Sequence, residues 1–123
     1  PIIASASLSW ASQLFFKRAA MAVVVELSPS VTVRSIAELR QALLDGFEAG
    51  DQIELDAGDV AEVDLSFLQL IHAARDQAQR DGKTIRLRQP AGPAIAALLE
   101  RAGFLAAAAP DDLDFWFHGE SPQ

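Results

Sequence analysis

Cysteine is absent from the 123-residue chain, so disulfides, thiolate nucleophiles and Cys-based zinc sites are excluded. Histidine is nearly absent: His72 and His118 are the only two, too few for a His-rich metal site. Positive charge is scarce. Ten Lys and Arg stand against seventeen Asp and Glu, for a net charge of −7. That balance argues against nucleic acid and anionic membranes as main partners, because both select a basic face. No stretch reaches the roughly 18 uninterrupted apolar residues that read as a membrane span. No strand-like segment is followed by Gly-x-Gly-x-x-Gly or a Walker sequence, so a phosphate-cradling glycine loop is missing. Internal repeats and low-complexity blocks are missing too.

What is present is the composition of a soluble globular domain, 50% hydrophobic and 22% charged. The length suits one domain. A chain of this size buries about two thirds of the surface its unfolded form exposes. The only methionine is Met21, and all seventeen acidic residues follow position 20, whereas Lys17 and Arg18 precede it. Residues 1–20 are rich in Ser and Ala and carry Trp10, Phe15 and Phe16 ahead of the Lys-Arg pair. A secretory signal has its positive charges before its apolar stretch, not after it. Residues 1–20 are therefore expected to be upstream or added sequence, and residues 21–123 the domain. In the rival reading this segment is amphipathic, and Trp10, Leu14 and Phe15 dock on a surface. They would then either pair with a second copy, giving a homodimer, or cover an exposed sheet edge.

From Met21 onward the pattern alternates strand and helix. Val23–Leu27 is a β-branched run that reads as a buried strand, and Ser28-Pro29-Ser30 breaks it. Val31-Thr32-Val33 is β-prone but brief. Ser35 with Glu38 matches a capping box, and Ile36, Leu39, Leu43 and Phe47 fall on one helical face behind it. Gly50 suits the left-handed residue that ends a helix. Gln52–Asp56 alternates as a strand, and Val60–Val63 adds a short extended piece. Ser66 with Gln69 matches a second capping box, which predicts a helix from Phe67 to Arg80 with Phe67, Leu70, Ile71, Ala74 and Ala78 as its apolar stripe. Asp81-Gly82-Lys83 turns into the strand Thr84–Arg88. Pro93 opens a third helix lined by Ile95, Leu98, Leu99 and Ala102, which Gly103 ends. Leu113, Phe115 and Phe117 alternate and predict a last edge strand or a packing tail. The expected fold is α/β: a single domain with a four- to five-stranded mixed sheet and three to four helices packed on it.

Few residues here carry obvious chemistry. Asp56 with Asp59, Glu62 with Asp64, and Asp111 with Asp112 are paired carboxylates of the kind that hold magnesium or share a proton. In an acidic protein they read first as solvated loop charge. A serine hydrolase needs a base beside its serine. His72, six residues after Ser66 on the same helix, points roughly away from it. Ser66 stands out by position, between a strand-like segment and a helix. A helix start offers unpaired N–H groups and partial positive charge. A phosphoryl group there would add roughly two negative charges to the exposed surface, against the opposition of Asp64. The plain alternative is a helix cap worth about 1 kcal/mol.

The stretch from Val60 to Phe104 resembles the STAS family, the anti-sigma factor antagonist domains. Asp64-Leu65-Ser66-Phe67-Leu68 stands where the family has an Asp-Ser/Thr-Ser/Ala-Gly-Leu type motif opening a helix. Gln69-Leu70-Ile71, the turn and strand Asp81–Leu87, and Ala94–Phe104 with its Ala-Gly-Phe close are similar to the elements that follow. Leu39–Gly50 with Gln52–Asp56 looks like the family's first helix and central strand, and the whole resemblance covers about Val23 to Leu105. Two positions depart: Phe67 stands where Gly is usual, and Leu65 where a small residue is common.

The resemblance implies a cytoplasmic bacterial protein-binding module without catalytic residues, cofactor or metal of its own. It would act by partner switching with an anti-sigma factor type serine kinase, in signal transduction and transcription regulation. ATP would belong to that kinase. Ser66 would be the phosphoacceptor, and Asp64, Leu65, Ser66, Phe67, Leu68 and Gln69 the partner-binding turn, extended along the next helix by Arg75 and Gln79. Phe67 beside Ser66 would either crowd the kinase or anchor the partner. The resemblance also admits a permanent accessory subunit of an ABC transporter ATPase, lipid transporters included, or an adaptor in a chemotaxis or two-component system. A small enzyme built on acidic loops would require convergent carboxylates of perturbed pKa in a pocket.

Overall fold

The computed structural model describes residues 22–119. The expected boundary at Met21 and the Trp10, Leu14 and Phe15 contacts lie outside the described residues. The strands are β1 (Ala22–Glu26), β2 (Ser30–Val31), β3 (Gln52–Asp56), β4 (Glu62–Val63) and β5 (Thr84–Leu87). The helices are α1 (Ile36–Ala49), α2 (Leu65–Arg80), α3 (Pro93–Arg101) and α4 (Pro110–Phe117), with a single 3₁₀ turn at Leu105–Ala107.

β1, β3 and β5 form a three-stranded parallel sheet in the order β1-β3-β5, and β2 and β4 pair separately, also in parallel. The five strands thus fall into two small sheets rather than the single mixed one expected. Parallel neighbours need crossovers, which α1 supplies between β1 and β3 and α2 between β3 and β5. α1 packs on β1 and β3, α2 on β5, and the two helices pack on each other. Val25, Ile53, Leu55 and Leu87 meet Leu39, Leu43, Phe67 and Ile71 in one core.

The opposite sheet face is polar. Glu54 accepts from Arg86 at 2.8 Å and lies 3.4 Å from Arg88, which also reaches Asp56 at 3.7 Å. This corrects in part the reading of Val23–Leu27 as a buried strand. β1 is an edge strand with one inward face, where Val25 is buried while Val24 is exposed.

Three further local expectations change. Ser35 precedes α1 but its hydroxyl does not cap it: Oγ accepts from the Thr32 N–H at 3.1 Å and donates to the Ser30 carbonyl at 3.1 Å, turned back toward β2. Gly50 is extended (φ −165°) rather than left-handed. The glycine freedom foreseen for helix ends is used at Gly82 (φ 68°) and Gly103 (φ 72°). Leu113–Phe117 is helical, not a strand. Pro110 opens α4, and the Asp112 carboxylate accepts from the Ala109 N–H at 3.2 Å, which caps its first turn. The packing-tail part of the expectation holds, since Phe115, Trp116 and Phe117 are all buried.

Candidate functional site

β2 and β4 lie side by side in parallel, so the chain leaves both at the same end. From β2 it turns through Thr32–Ser35 into α1, and from β4 it passes through Asp64 into α2. Two helix starts are thereby brought next to each other. Side chains lace the ribbon that carries them, with the Ser30 hydroxyl donating to Glu62 at 2.6 Å.

Asp64 is the N-cap of α2, which corrects the assignment of that role to Ser66. Its Oδ1 accepts from the Ser66 N–H at 3.0 Å and also from the Ser66 hydroxyl. Its Oδ2 accepts from the Val33 N–H at 2.8 Å, across 31 residues of sequence. One carboxylate thus satisfies two backbone donors and a hydroxyl. The Ser66 hydroxyl first, and then the Val33 N–H, hold the Asp64 carboxyl below its ordinary pKa, against a smaller opposing effect of desolvation.

The expected partner-binding turn divides between surface and core. Leu65 is 53% exposed and Gln69 is exposed, while Asp64 and Ser66 are half-buried. Phe67 and Leu68 are buried, Phe67 completely, and are not offered to a partner. The Phe67 ring stands edge to face with Trp116, centroids 6.1 Å apart. Phe67 therefore neither crowds the approach to Ser66 nor anchors a partner. Val33, which the sequence reading passed over as a brief β-prone residue, is 70% exposed. With Leu65 it gives two large apolar side chains on the two segments that Asp64 ties together. The signal available in the sequence was an apolar residue beside a turn, which is not specific.

Of the helix-two residues named as a continuation of this surface, Gln79 is exposed, but Arg75 is committed to α4. Its guanidinium pairs with Asp112 at 2.9 Å and lies 4.4 Å from the centroid of the Phe115 ring. Both face an open groove of about 960 Å³ between α2, β5 and α4. His72 and His118 also line that groove. His72 is exposed and makes no hydrogen bond to Ser66 among the described residues. His118 Nε2 donates to the Leu87 carbonyl at 2.8 Å, which fixes the proton on that nitrogen.

The paired carboxylates of the sequence go separate ways. Asp56 accepts from the Gln89 amide at 3.1 Å and the Gly58 N–H at 3.1 Å; these bonds, with a smaller contribution from Arg88, hold its pKa below the ordinary value. Glu62 serves Ser30, and Asp112 serves Arg75 and Ala109. No group of three metal-capable side chains gathers among the described residues, and no helix there is long and apolar enough to cross a membrane.

The site is therefore a surface rather than a pocket: a helix start, a hydroxyl bound to its capping carboxylate, and two exposed apolar side chains. Comparisons agree with this architecture. A crystal structure of a sulfate transporter family protein from Wolinella succinogenes is similar, with a TM-score of 0.54 and 17% identity over 74% of each chain. That likeness concerns the fold alone. No curated protein sequence matches the chain. The family model described as "Mlab, STAS domain" matches residues 14–106, most of the chain. The chain belongs to the STAS domain family.

Proposed function

We propose that this chain is a protein-docking module that binds a partner ATPase through the surface carried by Val33, Leu65, Ser66 and Gln69. One observation carries the reading: two large apolar side chains, 70% and 53% exposed, flank a helix start whose capping carboxylate already holds the Val33 and Ser66 N–H groups. Apolar side chains left in water beside a rigid element are what a partner's pocket desolvates.

In a permanent accessory subunit of an ABC transporter ATPase, this surface stays covered and the Ser66 hydroxyl serves the cap. Three observations favour that mode: the apolar pair, the commitment of Ser66 to Asp64, and membership in the STAS branch described as Mlab. In a partner-switching module of the anti-sigma antagonist type, a serine kinase binds the same surface and phosphorylates Ser66. The half-burial of Ser66 at the start of α2, beside exposed Leu65, supports that mode. The geometry favours the first for the resting contact. An adaptor of a chemotaxis or two-component system would use the same face.

The test is affinity capture of the full chain from its native lysate, with bound proteins identified by mass spectrometry, alongside Leu65→Asp and Ser66→Asp. A transporter ATPase lost with Leu65→Asp supports the subunit. A serine kinase of the histidine-kinase-like ATPase type, lost with both variants, supports the switch. Capture that both variants leave intact contradicts the docking surface.

A further inference from the structure

We infer that the outer edge of β5 is a separate docking site, which takes an extended segment of a second protein partner as an added strand, with acidic side chains at alternate positions and apolar ones between them. This site does not rest on the Val33–Leu65 surface: none of the residues lining the groove beside β5 lies between Val33 and Gln69.

The backbone of a parallel strand points its peptide groups alternately to either side. The Thr84 N–H donates to the Asp51 carbonyl and the Arg88 N–H to the Leu55 carbonyl, both at 2.8 Å, so Thr84, Arg86 and Arg88 turn their peptide groups toward β3. Ile85 and Leu87 turn theirs outward, at the edge of the sheet. Folds ordinarily cover, charge or shorten such an edge. Here the Leu87 carbonyl accepts from His118 Nε2 at 2.8 Å. The Ile85 N–H, the Ile85 carbonyl and the Leu87 N–H have no hydrogen-bond partner among the described residues. α4 ends at that histidine, in two successive left-handed residues, His118 (φ 53°) and Gly119 (φ 79°). The helix therefore borders the edge without pairing along it. Between them lies the groove of about 960 Å³, and every residue from Lys83 to Arg88 lines it.

Three free backbone groups in a row give affinity to an extended chain, and the flanking side chains choose which chain. Arg86 and Arg88 stand on the polar face of the sheet with side chains 74% and 51% exposed. Their partners Glu54 and Asp56 lie on β3, one strand further in. On that face an added strand meets guanidinium groups first, and opposite charges across neighbouring strands stabilise a sheet. On the other face it meets Ile85 and Phe115 together with Asp111 and Asp114 of α4. The other acids of the groove are already paired, Asp112 with Arg75 and Asp76 with Arg80. Apolar side chains fit that face and acidic ones are repelled. A second copy of β5 is a poor occupant, because antiparallel pairing centred on Arg86 sets the two Arg86 side chains opposite each other.

The experiment is residue-resolved amide hydrogen exchange by NMR on the full chain, alone and with synthetic peptides blocked at both ends. The probes are Glu-Val-Glu-Val-Glu-Val, Lys-Val-Lys-Val-Lys-Val, and the glutamate peptide with its backbone amides methylated. At a concentration that binds about nine tenths of the protein, the glutamate peptide slows exchange at Ile85 and Leu87 by about tenfold, since only the free fraction exchanges. Exchange at Val33 is unchanged, and neither the lysine peptide nor the methylated peptide protects Ile85 or Leu87. Arg86→Glu reverses the preference, so that the lysine peptide protects; Arg86→Ala weakens the glutamate peptide without that reversal. Protection of Ile85 and Leu87 in the chain alone overturns the inference, because the edge is then closed by the chain itself or by a second copy. Equal protection by the glutamate and lysine peptides, or protection by neither, overturns it too. A failure of the Val33–Leu65 surface shows instead in the capture experiment, where Leu65→Asp retains its partner.

Discussion

The rings of Phe67 and Trp116 meet edge to face with centroids 6.1 Å apart, and this contact ties the first turn of α2 to the last helix of the chain. Phe115 extends the cluster, 4.9 Å from Trp116 and nearly perpendicular to it. The turn that presents Leu65 and Ser66 is thereby backed by a packed aromatic group. A small residue at position 67 would leave that space empty.

Phe67→Ala is expected to cost about 3–5 kcal/mol, the range for a fully buried Phe replaced by Ala. Urea unfolding of the two proteins at neutral pH measures it through the shift in midpoint.

Trp116→Phe is expected to cost far less, within about 1.5 kcal/mol, although it also alters the core. The Trp116 Nε1 donor is buried without a partner among the described residues, so replacing the indole removes an unpaired polar group together with its contacts. The same unfolding series checks this, and a loss equal to that of Phe67→Ala would contradict it.

The two carboxylates with lowered pKa set an acid limit on stability. Asp64, held mainly by the Ser66 hydroxyl, and Asp56, held mainly by the Gln89 amide, bind protons less readily folded than unfolded. Their contribution is present in full above the unfolded carboxyl value of about 3.9 and is lost as pH falls through the lower folded value. The gap between wild type and Asp64→Asn in urea midpoint should therefore be constant from about pH 7 to 5 and shrink below about pH 4. Asp56→Asn should behave likewise. A gap that widens on acidification would reverse the sign argued here.

Arg75 and Asp112 should couple α2 to α4. Their 2.9 Å bond is partly shielded, and the guanidinium also lies over the Phe115 ring. A double-mutant cycle with Arg75→Ala and Asp112→Ala is expected to give a coupling of about 1 kcal/mol in stability. Arg75→Lys should recover only part of it, because a lysine lacks the planar fork that serves both contacts.

The fold was legible wherever a period was long or a punctuating residue was decisive. Gln52–Asp56 appears as read, and α1 and α3 follow the apolar spacing that starts at Ile36 and Ile95. The tail was misread because three apolar residues at alternate positions fit a strand as well as a two-turn helix. Pro110 and Asp112 decide for the helix. That error propagated to the site: the apolar stripe already put Phe67 on the core face, but with Trp116 unplaced the ring it packs against was not visible, and Phe67 also read as a residue beside Ser66 that could meet a partner. The cap was misassigned for a different reason. Asp64 and Ser66 are both good cap residues, and what selects Asp64 is its second oxygen, engaged by Val33 31 residues away. Long-range bonds of that kind leave no trace in local spacing, and the same bond explains why Val33 was missed.

The docking surface itself is tested most directly by photo-crosslinking in the native cell. A benzophenone side chain replaces Leu65 in one protein and, as a control on the polar face of the sheet, Arg86 in another. Leu65→Asp is expected to leave stability within about 0.5 kcal/mol, so position 65 tolerates replacement. The account predicts one dominant adduct from position 65, with an ATPase chain, and none of it from position 86. Adducts with the ATPase from position 86 and none from position 65 would place the interface elsewhere and contradict the account.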